Sequence, residues 1–204
     1  MAAHLKYYWG SMASSKTLRL LSTAYNFEEK NMQIMVLKPS IDTRDGEGII
    51  RSRAGLERKC VMIDQNIDLY EMVKAYKTVL DSHFDRLRWV IVDECQFLTE
   101  EQVDQLSDVV DFLDVGVMCF GLRTDFQSRL FPGSRRLFEI ADDIEEVKSS
   151  CECGERKTSI NARFDDDGRI VTDGGQIMVG GNETYRAICR KCWKEKIRGL
   201  YDKA

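Results

Sequence analysis

Gly10-Ser11-Met12-Ala13-Ser14-Ser15-Lys16-Thr17 is the stretch on which the reading of this chain turns. It follows a short apolar run, Leu5-Lys6-Tyr7-Tyr8-Trp9, and leads into Leu18-Arg19-Leu20-Leu21, a helical pattern. A strand, a small-residue turn and a helix opening on Lys-Thr is the setting of the phosphate loop G-x-x-x-x-G-K-[ST]. The second glycine of that pattern is Ser15 here, and serine is strained if the position calls for a positive φ. The chemistry still holds. Amides from Gly10 to Ser15 wrap a phosphate, and the helix dipole adds a favourable field. Lys16 reaches the β- and γ-phosphates, and Thr17 offers its hydroxyl to Mg²⁺.

A second motif answers the first. Trp89-Val90-Ile91-Val92 reads as a buried strand and ends in Asp93-Glu94-Cys95-Gln96. An acidic residue closing an apolar strand is the Walker B arrangement, which places Asp93 beside the Mg²⁺ held by Thr17. Glu94, next to it, suits the task of accepting a proton from an attacking hydroxyl.

Around these motifs the first 147 residues alternate short apolar runs with helical patterns. Strands are expected over 5–9, 33–37, 60–63, 89–92 and 115–120. Helices are expected over 16–28, 68–82 and 100–113, with a shorter one near 135–141. Asp68-Leu69-Tyr70-Glu71 and Thr99-Glu100-Glu101-Gln102 both resemble capping boxes. Strands separated by helices predict an α/β fold, a RecA-like parallel sheet flanked by helices.

The pattern changes near Lys148. Residues 148–204 carry turn signals at Asp165-Asp166-Asp167-Gly168, Asp173-Gly174-Gly175 and Gly180-Gly181-Asn182. Strand-like runs over 159–164 and 176–179 lie between the turns, and a helix is expected over 190–200. A β-rich appendage of this size needs a staple. The chain holds 7 cysteines, four of them in two close pairs, Cys151/Cys153 and Cys189/Cys192. Four thiolates so grouped match a tetrahedral Zn²⁺ site, and four protein ligands leave no open position, so the metal is structural.

Composition excludes several classes. Hydrophobic residues make up 43% and charged residues 31%, values of a chain able to bury a core. No apolar stretch approaches the roughly 18–20 residues of a membrane-spanning helix. No secretory signal opens the chain, so the expected location is the cytoplasm, where thiols stay reduced. Net charge is −4, and residues 148–204 hold 12 Lys/Arg against 9 Asp/Glu, too mild a bias for a nucleic-acid surface.

Together these motifs resemble the thymidine kinases of the tetrameric, zinc-containing type, over essentially the whole chain. Lys38-Pro39-Ser40-Ile41-Asp42-Thr43-Arg44 is similar to the family's K-P-x-x-D-x-R, whose arginine lies near the nucleotide phosphates. Asp93-Glu94-Cys95-Gln96 is similar to D-E-x-Q, whose glutamate is the proposed base; Gln96 joins the nucleotide set by that resemblance. Gly121-Leu122-Arg123-Thr124-Asp125-Phe126, followed by Phe131, resembles the segment packed on the nucleoside base, to which Met12 is added. The segment 176–185 resembles the family's lasso, which encloses thymidine through Val179, Gly180 and Gly181 and is closed by Tyr185.

The resemblance implies phosphorylation of thymidine by ATP, a homotetramer, and feedback inhibition by thymidine triphosphate. Two other readings compete. One is a RecA-like, zinc-containing ATPase acting on DNA; the other is a non-catalytic nucleotide-binding regulator.

Overall fold

The computed structural model describes residues 3–176 and 184–199. Its centre is a six-stranded sheet in the order β5-β2-β6-β7-β1-β8, every neighbouring pair parallel. The strands are β1 (Leu5–Trp9), β2 (Gln33–Pro39), β5 (Val61–Ile63), β6 (Leu87–Val92), β7 (Gly116–Gly121) and β8 (Asp143–Glu146). Helices α1 (Lys16–Glu28), α2 (Leu69–Ser82), α3 (Glu100–Leu113) and α4 (Pro132–Ile140) connect them.

Side chains alternate across the sheet with the two-residue period of a strand. Met35, Leu37, Val90, Val92, Val117 and Cys119 point to one face, where Val73 of α2, Leu106 of α3 and Leu137 of α4 cover them. Ile34, Val36, Ile91, Met118 and Phe120 point to the other, against Leu20, Leu21 and Ala24 of α1. Strands buried on both faces are what a parallel sheet requires, and the apolar runs in the sequence follow from that.

The expected helices over 16–28 and 100–113 have those bounds. Thr99 and Gln102 form a reciprocal capping box; at Asp68 only half forms, with the carboxylate accepting from the Glu71 N–H at 2.9 Å. The helix expected near 135–141 begins earlier, because Pro132 fills its first turn, where a fixed φ and a missing N–H cost nothing.

Two features escape the periodicity. β8, Asp-Ile-Glu-Glu, has one apolar residue and reads as polar loop; it is an edge strand, where one flank faces solvent. Between β2 and β5 the chain makes a hairpin, β3 (Ile49–Arg51) with β4 (Glu57–Lys59), in which every pair includes a charged residue.

From Cys151 onward β9 (Ile160–Arg163) pairs antiparallel with β10 (Tyr185–Ile188), and α5 (Arg190–Ile197) follows. Ile160, Ala162, Phe164 and Ile188 pack with Cys151, Cys189 and Cys192 into a small cluster of their own. The run expected over 176–179 lies, beyond Gln176, outside the described residues.

Candidate active site

Open parallel sheets bind ligands beyond the carboxyl ends of their strands. Here the ends of β1 and β6 deliver the two sequence motifs to one cavity of about 740 Å³. A Cβ on Gly10 would lie 2.5 Å from the Val147 carbonyl oxygen and press on Ser14, so only glycine fits the turn out of β1. Ala13 (φ 59°) and Ser15 (φ 64°) are left-handed, with Ser14 between them on the negative side. Alternation of this kind aims successive N–H groups into a concavity that suits an anion, at the N-terminus of α1. Ser15 therefore stands at the conformation that favours glycine, and its side chain makes no capping bond.

Lys16 is buried, and its ammonium donates to the carbonyl oxygens of Ser11 (2.7 Å) and Gly10 (3.2 Å). Burial lowers its pKa, opposed by the charges of Glu94 and Asp93. The Thr17 hydroxyl donates to Asp93 Oδ2 at 3.3 Å. Asp93 is 3% exposed, and burial, then the Glu94 charge, push its carboxyl up. A buried carboxylate beside a hydroxyl at the phosphate loop is a hard-oxygen pair that a divalent cation would satisfy, so the donor set fits Mg²⁺.

Glu94 opens the turn after β6 with φ 50°, a left-handed non-glycine residue. Strain of this sort is held in place by its surroundings. Both carboxylate oxygens are engaged. Oε1 accepts from Arg44 Nη2 at 2.5 Å and Oε2 from Gln96 Nε2 at 2.6 Å. Gln96, 1% exposed, accepts the Leu122 N–H at 2.9 Å through Oε1, which orients its amide towards Glu94. Arg44 is itself gripped by Asp42 at 2.6 and 3.0 Å. Beneath it the fully buried Lys38 pairs with Asp42 (3.2 Å) and Asp45 (3.1 Å).

The other half of the cavity is aromatic. Met12, Leu122, Phe126, Phe131 and Tyr185 all reach its wall, together with Gln96 and Arg44. Phe126 and Phe131 are nearly fully buried, Phe131 edge-on to Phe97 at 5.9 Å between centroids. Gln176 donates to Asp125 Oδ2 at 2.9 Å, tying the start of the segment 176–185 to this wall. Val179, Gly180 and Gly181 lie outside the described residues.

Sequence reasoning passed over Arg51, Arg53, Asn161 and Asp42, which also line the cavity. Arg51 and Arg53 ride on the charged hairpin, where no period marks a site. Asp42 sat inside a quoted motif with a visible signal, its spacing from Lys38 and Arg44.

The four paired cysteines converge as expected. Their sulfur atoms all lie within 4.8 Å of one another, and Cys151 and Cys192 sulfurs are 3.9 Å apart. Tetrahedral Zn–S bonds of about 2.3 Å imply sulfur–sulfur edges of roughly 3.8 Å, so the cluster fits zinc. The backbone N–H of Cys189 donates to Cys151 Sγ (3.2 Å) and that of Cys192 to Cys189 Sγ (3.4 Å), which fixes two of the four sulfur atoms in place.

Known proteins resemble the chain over nearly its whole length. Thymidine kinase from Mannheimia succiniciproducens is 42% identical over 200 residues, covering 98% of this chain and 100% of its own. That of Shewanella oneidensis is 42% identical over 195 residues, covering 96% and 98%. That of Escherichia coli O157:H7 is 41% identical over 196 residues, covering 96% and 93%. A Pif1 helicase crystal structure from Candida albicans aligns with 72% of this chain and 36% of its own at 15% identity and a TM-score of 0.42, too loose to weigh on fold or function. A model of the thymidine kinase family matches residues 3–193, and the chain belongs to that family.

Proposed function

We propose that the chain transfers the γ-phosphoryl group of ATP to the 5′-hydroxyl of thymidine, with deoxyuridine as a second acceptor. The observation that carries this reading is a single cavity wall holding Lys16, Glu94, Phe126 and Tyr185 together. A lysine at the start of α1, a carboxylate and aromatic side chains meet there.

In this mechanism the loop from Gly10 to Ser15 cradles the β- and γ-phosphates with its amides from Ala13 onward, those of Gly10 and Met12 being held by Gly121 and Asn161, and Lys16 counters their charge. Thr17 and Asp93 would hold Mg²⁺, which when bound supplies positive charge against the same oxygens. Arg44 turns from Glu94 to the triphosphate, which frees Oε1. Glu94 then takes the 5′-hydroxyl proton as the new O–P bond forms and the bond to the ADP oxygen breaks. Met12, Leu122, Phe126 and Phe131 pack on the base, and the segment with Val179, Gly180, Gly181 and Tyr185 closes over it and excludes water. Gln96 serves the nucleotide site through its hold on Glu94.

Residues 1–147 form the nucleotide-binding unit and residues 148–204 the lasso unit. Zn²⁺ on Cys151, Cys153, Cys189 and Cys192 staples the latter and takes no part in the chemistry. The cytoplasm is the proposed location, on the family resemblance; among the described residues no helix is long and apolar enough to cross a membrane. A homotetramer and inhibition by thymidine triphosphate complete the reading, on the family resemblance.

The test is ATP-dependent phosphorylation by the purified protein, with thymidine and the other three deoxynucleosides compared. Selective formation of thymidine monophosphate is expected. Absence of product from folded, zinc-containing protein would overturn the reading.

A further inference from the structure

The cysteine-bound unit touches the phosphate loop directly. Ser11 Oγ and Thr158 Oγ1 are 2.5 Å apart, and both residues are buried. Thr158 Oγ1 also donates to the Ser149 carbonyl at 3.2 Å, so the hydroxyl that bridges to it is that of Ser11, acting as donor. One residue along the loop, the Met12 N–H donates to Asn161 Oδ1 at 2.8 Å. The same amide donates through Nδ2 to the Thr124 carbonyl at 3.1 Å, which leaves Oδ1 no other orientation. Asn161 is 4% exposed and sits in β9, whose neighbours Ile160 and Ala162 pack in the cluster of Cys151, Cys189 and Cys192.

We infer that Thr158 and Asn161 are positioning residues for the phosphate loop, so that the cysteine-bound unit sets the loop's readiness for ATP. Loops that bind phosphate through amides depend on those amides being aimed before the ligand arrives. Ser11 and Met12 form the crest just before the left-handed pair Ala13 and Ser15, and they are held from outside by two short hydrogen bonds. With the Met12 amide engaged by Asn161, the amides left for a phosphate are those that follow at the start of α1, which have no intrahelical partner. Because Asn161 also grips Thr124, in the segment leading to Phe126, it spans both halves of the cavity.

The inference rests on the loop binding ATP, as proposed above, and the experiment separates the two. Full-length parent, Thr158→Val, Thr158→Ser and Asn161→Leu are titrated by calorimetry with a non-hydrolysable ATP analogue and, separately, with thymidine; zinc content and thermal midpoint are recorded. Thr158→Val is expected to weaken the analogue about fivefold, the scale of one neutral hydrogen bond, with thymidine affinity and zinc at parental values. Thr158→Ser restores the hydroxyl and the parental affinity. Asn161→Leu loses two bonds and weakens the analogue further than Thr158→Val. Parental analogue affinity in both folded variants would overturn the positioning role while leaving the kinase reading intact. Equal weakening of both ligands with loss of zinc would overturn it too, since that is general damage. A parent that binds no analogue would overturn the kinase reading, and the positioning role with it.

Discussion

Arg44 Nη2 lies 2.5 Å from Glu94 Oε1, joining the loop after β2 to the turn after β6 across the mouth of the cavity. The proposed base is thus paired with the cation proposed to meet the phosphates, and the charge of Glu94 is the foremost cause raising the Arg44 pKa.

Glu94→Gln keeps the side-chain shape but removes the proton acceptor. General bases contribute about 10²–10⁴-fold, so kcat should fall by at least about a hundredfold while affinity for both substrates is retained. Steady-state kinetics with parallel binding titrations check this. Unchanged turnover would remove Glu94 as the base.

Arg44→Lys replaces a planar fork with a point charge. It cannot hold Asp42 through two atoms and also reach Glu94, so kcat is expected to drop about tenfold or more, with KM for ATP rising and KM for thymidine steady. A variant with parental kinetics for both substrates would show that Arg44 serves only the loop's shape.

Ser15→Gly tests the left-handed turn. A left-handed residue with a Cβ costs about 1–2 kcal/mol, and glycine in its place costs about 0.5–1 kcal/mol in chain entropy. The variant should therefore be as stable as the parent or up to about 1.5 kcal/mol more so, with ATP binding kept. Denaturant midpoints decide; a clear loss of stability would mean that the serine hydroxyl has a role.

Lys38→Met breaks a buried ion pair and leaves Asp42, 3% exposed, with Arg44. Losing one partner of a buried pair costs about 3–5 kcal/mol where the other charge is left uncompensated, and the retained Arg44 keeps the loss below that range. Burial alone would raise the Asp42 carboxyl, but the hydrogen bond and charge of Arg44 and the charge of Lys38 hold it below the usual carboxylate range. A depressed carboxylate stabilises the fold above its unfolded pKa of about 4 and ceases to as pH falls through its folded value. Without Lys38 the depression shrinks, so the acid-unfolding midpoint should move to higher pH. Followed by circular dichroism, an unmoved midpoint would count against the pairing.

Cys189→Ser removes one of the four clustered thiols. Metal analysis should show zinc falling from one per chain towards none, and thymidine KM should rise several-fold as the segment before β10 loosens. Retention of full zinc with unchanged KM would refute the structural-metal reading.

What the sequence alone determined is what its neighbours in the chain decide. The turn from β1 into α1 is set by Gly10, Lys16 and Thr17; the end of β6 is set by four apolar residues meeting Asp93. The thiol pairs are legible because metal chemistry restricts ligand type and spacing. Each of these signals lies within about ten residues, where periodicity and turn chemistry act. The tertiary structure alone decided the rest. It showed that Gln96 braces Glu94 against Leu122, that the short runs at β8 and β3–β4 are strands, and that Thr158 and Asn161 grip Ser11 and Met12. The last contacts join residues 147 and 149 positions apart. Such pairings come from how the sheet and the cysteine-bound unit pack, and a single polar side chain carries no period by which to foretell its partner.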